Sequence, residues 1–182
     1  MTKPQSEVGK EKVIKVLYCD LDGTIRKGFD ELGRFVNSEV DVELFEGVAE
    51  KLKAYKEAGW RIVGITNQGG VSLGHLSYEN MEKAVEKTQE LSGYIFDRIM
   101  ACIHHPDAKD KEFSVCWCRK PRIGLVVESA LSLGQQYEEY YPPHMALFIG
   151  DRPEDKQCAE NANIKFMDAK EWRNKSIKEL NL

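Results

Sequence analysis

Five short apolar runs punctuate the chain at intervals filled by mixed apolar and polar sequence: Val13 to Cys19, Trp60 to Thr66, Asp97 to Ile103, Met145 to Asp151 and Ile164 to Ala169. Each is nearly continuous rather than alternating, the pattern of a strand covered on both faces. Between them the apolar residues recur at helical spacing. Phe45 to Ala58 places Val48, Leu52 and Tyr55 on one face and stops at Gly59, and Ser77 is positioned to cap a helix that buries Met81, Val85, Thr88 and Leu91. Pro121 and Pro153 sit where a helix's first turn would start, a position at which the missing N–H costs nothing. Strand and helix alternate throughout. The pattern predicts an α/β doubly wound, Rossmann-like parallel sheet of five or six strands, order 3-2-1-4-5.

Size and composition narrow this further. A chain of 182 residues is long enough for one well-buried α/β core, so we expect a frayed tail over residues 1–12 and a single domain over 13–182. The net charge of −4 supplies no broad basic field, which argues against nucleic acid or an anionic membrane as partner. No apolar run reaches the roughly 20 residues of a membrane span, and the opening MTKPQSEVGKEK lacks the apolar core of a secretory signal, so a cytoplasmic protein is expected. Nothing specifies an oligomer, and a monomer is the default.

In a doubly wound fold, ligands sit beyond the C-terminal ends of the strands, near the point where strand order reverses. Those ends carry most of the reactive groups: Asp20 and Asp22 in CDLDGT, Thr66 and Asn67 in TNQGG, Cys102 and His104 in CIHH, and Asp151 and Asp155 in GDRPED. Asp20 and Asp151 would end neighbouring strands, where two carboxylates repel unless a cation lies between them. Hard oxygen ligands of this kind suit Mg²⁺. Taken alone, Asp20-Leu21-Asp22-Gly23 is also an ordinary turn, Thr66 an ordinary strand end and Lys120 a solvated lysine beside Arg119.

The full set, Asp20-Leu21-Asp22-Gly23-Thr24, then Thr66, then Lys120, then Gly150-Asp151 with Asp155, resembles the four ordered motifs of the haloacid dehalogenase superfamily of phosphatases. The match spans Val13 to about Phe166. The resemblance implies a phosphoric monoester hydrolase in which Asp20 is the nucleophile that forms an aspartyl-phosphate, and Asp22 is first general acid and then general base. It also implies that Asp20, Asp151 and the backbone carbonyl of Asp22 hold Mg²⁺. Thr66, Asn67, Arg119 and Lys120 are then expected to meet the phosphoryl group, and Asp155 to fix Lys120 or a metal-bound water.

Cys102-Ile103-His104 and Cys116-Trp117-Cys118 bracket a loop, residues 102–118, too poor in apolar residues to order itself. Three thiols and an imidazole suit tetrahedral, structural Zn²⁺, with disulfides the rival and disfavoured in the cytoplasm. A C-x-H…C-x-C loop running into Arg119-Lys120-Pro121 resembles the zinc-loop branch of these phosphatases, which includes the D-glycero-D-manno-heptose 1,7-bisphosphate 7-phosphatases and the histidinol-phosphate phosphatases. That branch selects His104 rather than His105 as the ligand. Cys19 and Cys158 match no ligand pair and read as buried apolar side chains.

The segments from Asp22 to Phe45 and from Gln68 to Ser77 are too short for a folded cap, so the cleft should be open. The implied substrate is a phosphate monoester of a small metabolite, a sugar phosphate such as heptose bisphosphate, or histidinol phosphate. Departures from the heptose enzymes argue against copying their substrate unchanged: Leu73 stands in place of an arginine, Arg122-Ile123 interrupts the Lys-Pro-x-Pro pattern, and Arg152 replaces a frequent lysine. Two alternatives remain, a 3′-phosphatase acting on polynucleotide ends and a catalytically silent zinc-bound scaffold.

Overall fold

The apolar runs form five parallel strands: β1 Val16–Cys19, β2 Arg61–Asn67, β3 Arg98–Cys102, β4 Ala146–Gly150 and β5 Lys165–Asp168. A computed structural model describes residues 12–182, so the expected tail lies outside the described residues except for Lys12. The sheet order is β3-β2-β1-β4-β5, every neighbouring pair parallel, as the strand–helix alternation predicts. Cys19 of β1 lies between Gly64 of β2 and Ile149 of β4, so β1 and β4 end almost level while β2 runs on to Asn67 beside them. β1 and β4 are buried along their whole length, and the edge strand β5 is partly exposed.

Alternate strand residues supply two cores, one on each face. Val16, Tyr18, Val63, Ile65 and Phe148 join Leu125 and Leu133 of α3 (Gly124–Tyr137) and Cys158 of α4 (Pro153–Asn161). Leu17, Cys19, Ile62 and Ile149 join Leu52 and Tyr55 of α1 (Val48–Glu57) and Trp172 of α5 (Ala169–Asn174). Cys19 and Cys158 are fully buried in these cores, as expected. Full burial of a large apolar side chain stabilises by about 1.5–3 kcal/mol, so either face alone outweighs any surface ion pair.

Four local details differ from the sequence pattern. The first run is divided: Lys12–Val13 pairs with Glu139–Tyr140 outside the main sheet, Ile14 N still donates to Tyr140 O (3.0 Å), and β1 begins only at Val16. α1 begins at Val48 rather than Phe45, because Phe45 N donates to Ile25 O (3.2 Å) and its ring packs under Arg173. In the helix capped by Ser77, α2 (Tyr78–Leu91), the buried stripe is Met81, Ala84 and Thr88, whereas Val85 is only half-buried and Leu91 is exposed. The stripe is turned toward Arg26, whose guanidinium donates to Ala84 O (3.1 Å) and Thr88 Oγ1 (2.9 Å). Finally, α3 starts at Gly124 and not at Pro121, since Arg122 N donates to Arg119 O (2.9 Å) and closes a turn there; α4 does start at Pro153.

Between β1 and α1 the chain forms only one helical turn, Phe29–Leu32, and a 3-10 turn, Glu39–Asp41, so no folded cap covers the strand ends. Among the described residues no helix is long and apolar enough to cross a membrane.

Candidate active site and metal cluster

Asp20 follows β1 and Asp151 follows β4, each one residue beyond the last strand residue, whereas the sequence pattern places Asp151 at the end of the fourth run itself. Gly23 makes their approach feasible: its φ is +88°, and a Cβ at that position would collide with the Asp151 carboxylate. Gly150 plays the same part for Asp155, whose side chain occupies the place a Cβ would need. Asp20, Asp151 and Asp155 thus offer carboxylate oxygens within 4.8 Å of one another.

Lys120, with 2% of its side chain exposed, is the cation this cluster contains. Its Nζ lies 2.5 Å from Asp20 Oδ1 and 2.6 Å from Asp155 Oδ1, and donates to Ile65 O at 2.8 Å. Burial works against the ammonium, but the two carboxylates outweigh it and raise its pKa, so Lys120 stays protonated. Asp155 also accepts from Arg152 N (3.0 Å), which pins it at the first turn of α4. Of the two roles anticipated for Asp155, contact with Lys120 is the one seen in the geometry.

Asp20 has its carboxyl pKa driven well above the ordinary range by burial, with Lys120 opposing and Asp155 and Asp22 reinforcing the rise. Its Oδ2 is buried and has no hydrogen-bond partner among the described residues. Asp151 is likewise shifted upward by burial and by Asp155, while Thr24 Oγ1 donates to it at 3.3 Å. Three carboxylates within 4.8 Å of one another, with Asp20 and Asp151 both shifted upward by burial, form the environment a hard divalent cation satisfies, so the residues present fit Mg²⁺.

Asp22 faces a different set of partners. Arg26 binds it in a fork, Nε to Oδ1 at 2.8 Å and Nη2 to Oδ2 at 3.1 Å, and Gln68 Nε2 donates to Oδ2 at 2.8 Å. Burial pushes the Asp22 pKa up, but the guanidinium and the amide prevail and the net shift is downward. Neither Arg26 nor Gln68 was singled out from the sequence. Arg26 is 1% exposed, yet in TIRKG it reads as one more solvated cation beside Lys27, and no local periodicity marks it as buried.

Thr66 and Asn67 end β2 beside this pair. Gln68 Nε2 donates to Thr66 Oγ1 (2.8 Å), which lies 3.5 Å from Asp22 Oδ2. Asn67 exchanges two hydrogen bonds with the Lys120 main chain, Nδ2 to O at 3.2 Å and Oδ1 from N at 3.0 Å. Its amide therefore fixes the lysine's backbone. Arg119 Nη1 donates to His104 O (3.1 Å), tying the cleft to the loop behind it. Arg173, another residue without a sequence signal, donates to Gly23 O (2.7 Å) and Thr24 O (3.0 Å) and clamps the turn after Asp20 from α5. A cleft of about 640 Å³ opens over Asp20, Asp22, Thr66, Asn67, Arg119 and Lys120.

The loop 102–118 brings its four predicted donors together. Cys102 Sγ lies 3.8 Å from Cys116 Sγ and 3.7 Å from His104 Nδ1, and Cys118 Sγ lies 3.1 Å from Cys102 Sγ and 3.3 Å from His104 Nδ1. Thiolates about 2.3 Å from a tetrahedral ion are separated by roughly 3.8 Å, so this cluster has the dimensions for one metal ion. None of the five cysteines forms a disulfide. Burial holds Cys102 and Cys118 above the ordinary thiol range, a penalty that a bound dication would reverse. His105 stands apart from the cluster, its Nδ1 accepting from Asp107 N at 3.1 Å.

A doubly wound sheet with two aspartates after its first strand, a lysine after its third and two more aspartates after its fourth defines a haloacid dehalogenase superfamily phosphatase, a phosphoric monoester hydrolase. The profile of the polynucleotide kinase 3 phosphatase family matches residues 15–173, and the chain belongs to that family. It is 32% identical over 155 residues, covering 83% of this chain and 76% of the relative, to a D-glycero-D-manno-heptose-1,7-bisphosphate 7-phosphatase of Chlorobaculum tepidum. A D-glycero-beta-D-manno-heptose-1,7-bisphosphate 7-phosphatase of Haemophilus ducreyi is 28% identical over 155 residues, 83% of this chain and 80% of that one. The fold is shared with the crystal structure of a D,D-heptose 1,7-bisphosphate phosphatase from B. bronchiseptica complexed with magnesium and phosphate, at a TM-score of 0.68 and 24% identity over 84% of this chain and 79% of that chain.

Proposed function

We propose that the protein hydrolyses a phosphate monoester of a small metabolite in an Mg²⁺-dependent reaction through an aspartyl-phosphate on Asp20, with residues 13–182 acting as one catalytic unit. The observation that carries this is the division of labour on Asp20: Oδ1 is held by Lys120 at 2.5 Å, while Oδ2 is buried and free. A carboxylate fixed at one oxygen and unpartnered at the other is a positioned nucleophile. Asp20, Asp151 and the Asp22 carbonyl would hold Mg²⁺, which when bound neutralises the repulsion between phosphate and carboxylate.

The chain's own groups account for the remaining steps. Asp20 Oδ2 attacks phosphorus as the ester oxygen departs, and Asp22, beside it on the cleft floor, gives that oxygen a proton it has first taken from solvent, since its partners favour the carboxylate between turnovers. Asp22 then takes a proton from water as the water attacks the aspartyl-phosphate, which returns Asp20 and releases phosphate. Lys120 and the Thr66 hydroxyl stabilise the charge spread over the phosphoryl oxygens. Arg119 borders the cleft and supplies a further cation for the bound phosphate. The Cys102, His104, Cys116 and Cys118 cluster would hold a structural Zn²⁺ that orders the loop carrying Arg119 and Lys120.

The test is a screen of phosphate monoesters (sugar phosphates including a heptose bisphosphate, and histidinol phosphate) with and without Mg²⁺, followed by acid quench and mass analysis of the peptide containing Asp20. Mg²⁺-dependent phosphate release with a phosphorylated Asp20 peptide is expected. A flat response with and without Mg²⁺ would instead favour the silent scaffold. A second substrate class is favoured by the family match itself, the 3′-phosphate of a polynucleotide end. The net charge of −4 opposes it, and a steep loss of turnover with added salt on a 3′-phosphorylated oligonucleotide would establish it.

A further inference from the structure

The cleft has two unlike walls. Its floor carries Asp20, Asp22 and Lys120, whereas Phe29, Phe35, Val36, Leu73 and Leu76 line it elsewhere. Val36 and Leu76 are buried, but Phe29 and Phe35 are 44% and 65% exposed as residues. The rings pack on each other, centroids 4.8 Å apart and planes tilted by 41°. Phe29 starts a closed helical turn, in which Gly28 N donates to Glu31 Oε2 (2.9 Å) and Gly33 N to Phe29 O (2.8 Å), and Gly28 packs directly on the Asp22–Gly23 backbone, where a Cβ would lie 3.0 Å from Gly23 N.

Two aromatic side chains held in water at the lip of a site lose the favourable transfer of their faces unless a ligand covers them. The cations of the cleft do not lie on this segment. Lys120 is taken up by two carboxylates, Arg119 donates to His104 O, and Arg152 leans toward Asp151 at 3.9 Å. Leu73 on the apolar side can offer no fork to a second phosphate.

We propose that Phe29 and Phe35 are specificity-determining residues that receive a planar aromatic ring carried by the leaving group of a phosphate monoester. The substrate class is therefore an aromatic monophosphate rather than a polyhydroxylated bisphosphate. This rests on the phosphatase reading above. The ring stacks against the tilted pair, in the offset or edge-to-face geometries that aromatic groups prefer, while the phosphate reaches Asp20.

The test compares benzyl phosphate, cyclohexylmethyl phosphate and glycerol 3-phosphate with Mg²⁺ present, since all three are primary alkyl esters and differ mainly in the group beyond the ester carbon. An aromatic contact should lower KM for the benzyl ester about tenfold relative to glycerol 3-phosphate, and severalfold relative to the cyclohexyl ester. In Phe29→Leu/Phe35→Leu the benzyl-to-glycerol ratio of kcat/KM should fall about tenfold. A nucleoside 3′-monophosphate arm distinguishes the source of the ring: preference over benzyl phosphate points to a nucleobase, the reverse to a small aromatic alcohol, and either supports the inference. Calorimetric binding of benzylphosphonate and methylphosphonate gives a readout without turnover, with only the first expected to weaken in the double variant. An unchanged ratio in the double variant, or equal KM values for the benzyl and cyclohexyl esters, would overturn it. If none of the esters is hydrolysed while benzylphosphonate still binds through the two rings, it is the phosphatase reading that fails.

Discussion

The carboxylate cluster at the strand ends and the thiol cluster of the loop pose the same electrostatic problem and resolve it in opposite ways. Each crowds anionic ligands into a partly dehydrated space. At the strand ends the chain supplies its own cations: Lys120 between Asp20 and Asp155, Arg26 against Asp22. At the loop no cation among the described residues touches the cysteine sulfurs; burial holds Cys102 and Cys118 protonated, while at Cys116 burial is outweighed by main-chain and thiol hydrogen bonds, including one from Arg119 N (3.4 Å), which lower its pKa. The first cluster can therefore be assembled by folding alone, and a metal would add the final neutralisation. The second would be completed by an ion that displaces protons from the thiols.

The largest effect that would sharpen this contrast belongs to Asp20→Asn. The amide keeps the volume and can still accept from Lys120 but cannot attack phosphorus, so turnover should fall by roughly 10³-fold or more. Melting should stay within a few degrees of the parent. Residual turnover above about a tenth of the parent would remove Asp20 from the nucleophile's role.

Next in size is Lys120→Met. It leaves Asp20 and Asp155 buried without their cation, a loss of about 3–5 kcal/mol in urea or thermal unfolding. Addition of Mg²⁺ should restore part of it, because the ion would replace the missing charge. A variant as stable as the parent would mean that the carboxylates do not depend on an internal cation, and the contrast between the clusters would disappear.

Cys116→Ser is the matching change on the other side. It should abolish stoichiometric zinc in elemental analysis. A hundredfold loss of metal affinity corresponds to about 2.7 kcal/mol by mass action, or roughly 5–11 °C in melting. Catalysis should weaken too, since Arg119 and Lys120 follow directly from the loop. Unchanged zinc content and melting would show that the loop is ordered by its own contacts.

The two clusters were also unequally legible in the sequence. The loop could be read almost completely, because C-x-H and C-x-C are close pairs and a loop poor in apolar residues has few other ways to be ordered, with the family resemblance needed only to choose His104 over His105. Strand order and the motif-bearing strand ends were legible for a similar reason: continuous apolar runs leave little choice of structure, Asp20 and Asp151 follow them directly and Thr66 ends one, whereas Lys120 lies a whole loop beyond β3 and was legible only through the order of the motifs. What was hidden depends on long-range contact. Arg26 is buried only because Thr88 and Ala84, about sixty positions away, turn a helix face toward it; the same contact explains why Val85 and Leu91 are not in the core. Gln68 and Arg173 are similar, each defined by partners that no local pattern reveals. Helix starts shifted for a related reason, since Phe45 and Arg122 spend their backbone groups on turns before the helices begin.

The smallest expected effect tests that hidden contact. The fork from Arg26 holds the Asp22 pKa below its ordinary value, so Asp22 is favoured as a carboxylate in the folded protein. For a carboxyl with a depressed folded pKa, the stabilisation is fully present above the unfolded value of about 3.9 and is lost as pH falls through the folded value below it. Arg26→Lys keeps a positive charge but not the fork, so the Asp22 pKa should rise toward the ordinary range. The acid limb of the rate profile for aspartyl-phosphate hydrolysis, where Asp22 must be ionised to accept a proton, should then move to higher pH with only a few-fold loss at neutral pH. The acid-unfolding midpoint should move upward in parallel. If the limb stays in place while stability alone drops, Arg26 serves the packing of α2 and has no part in setting the charge on Asp22.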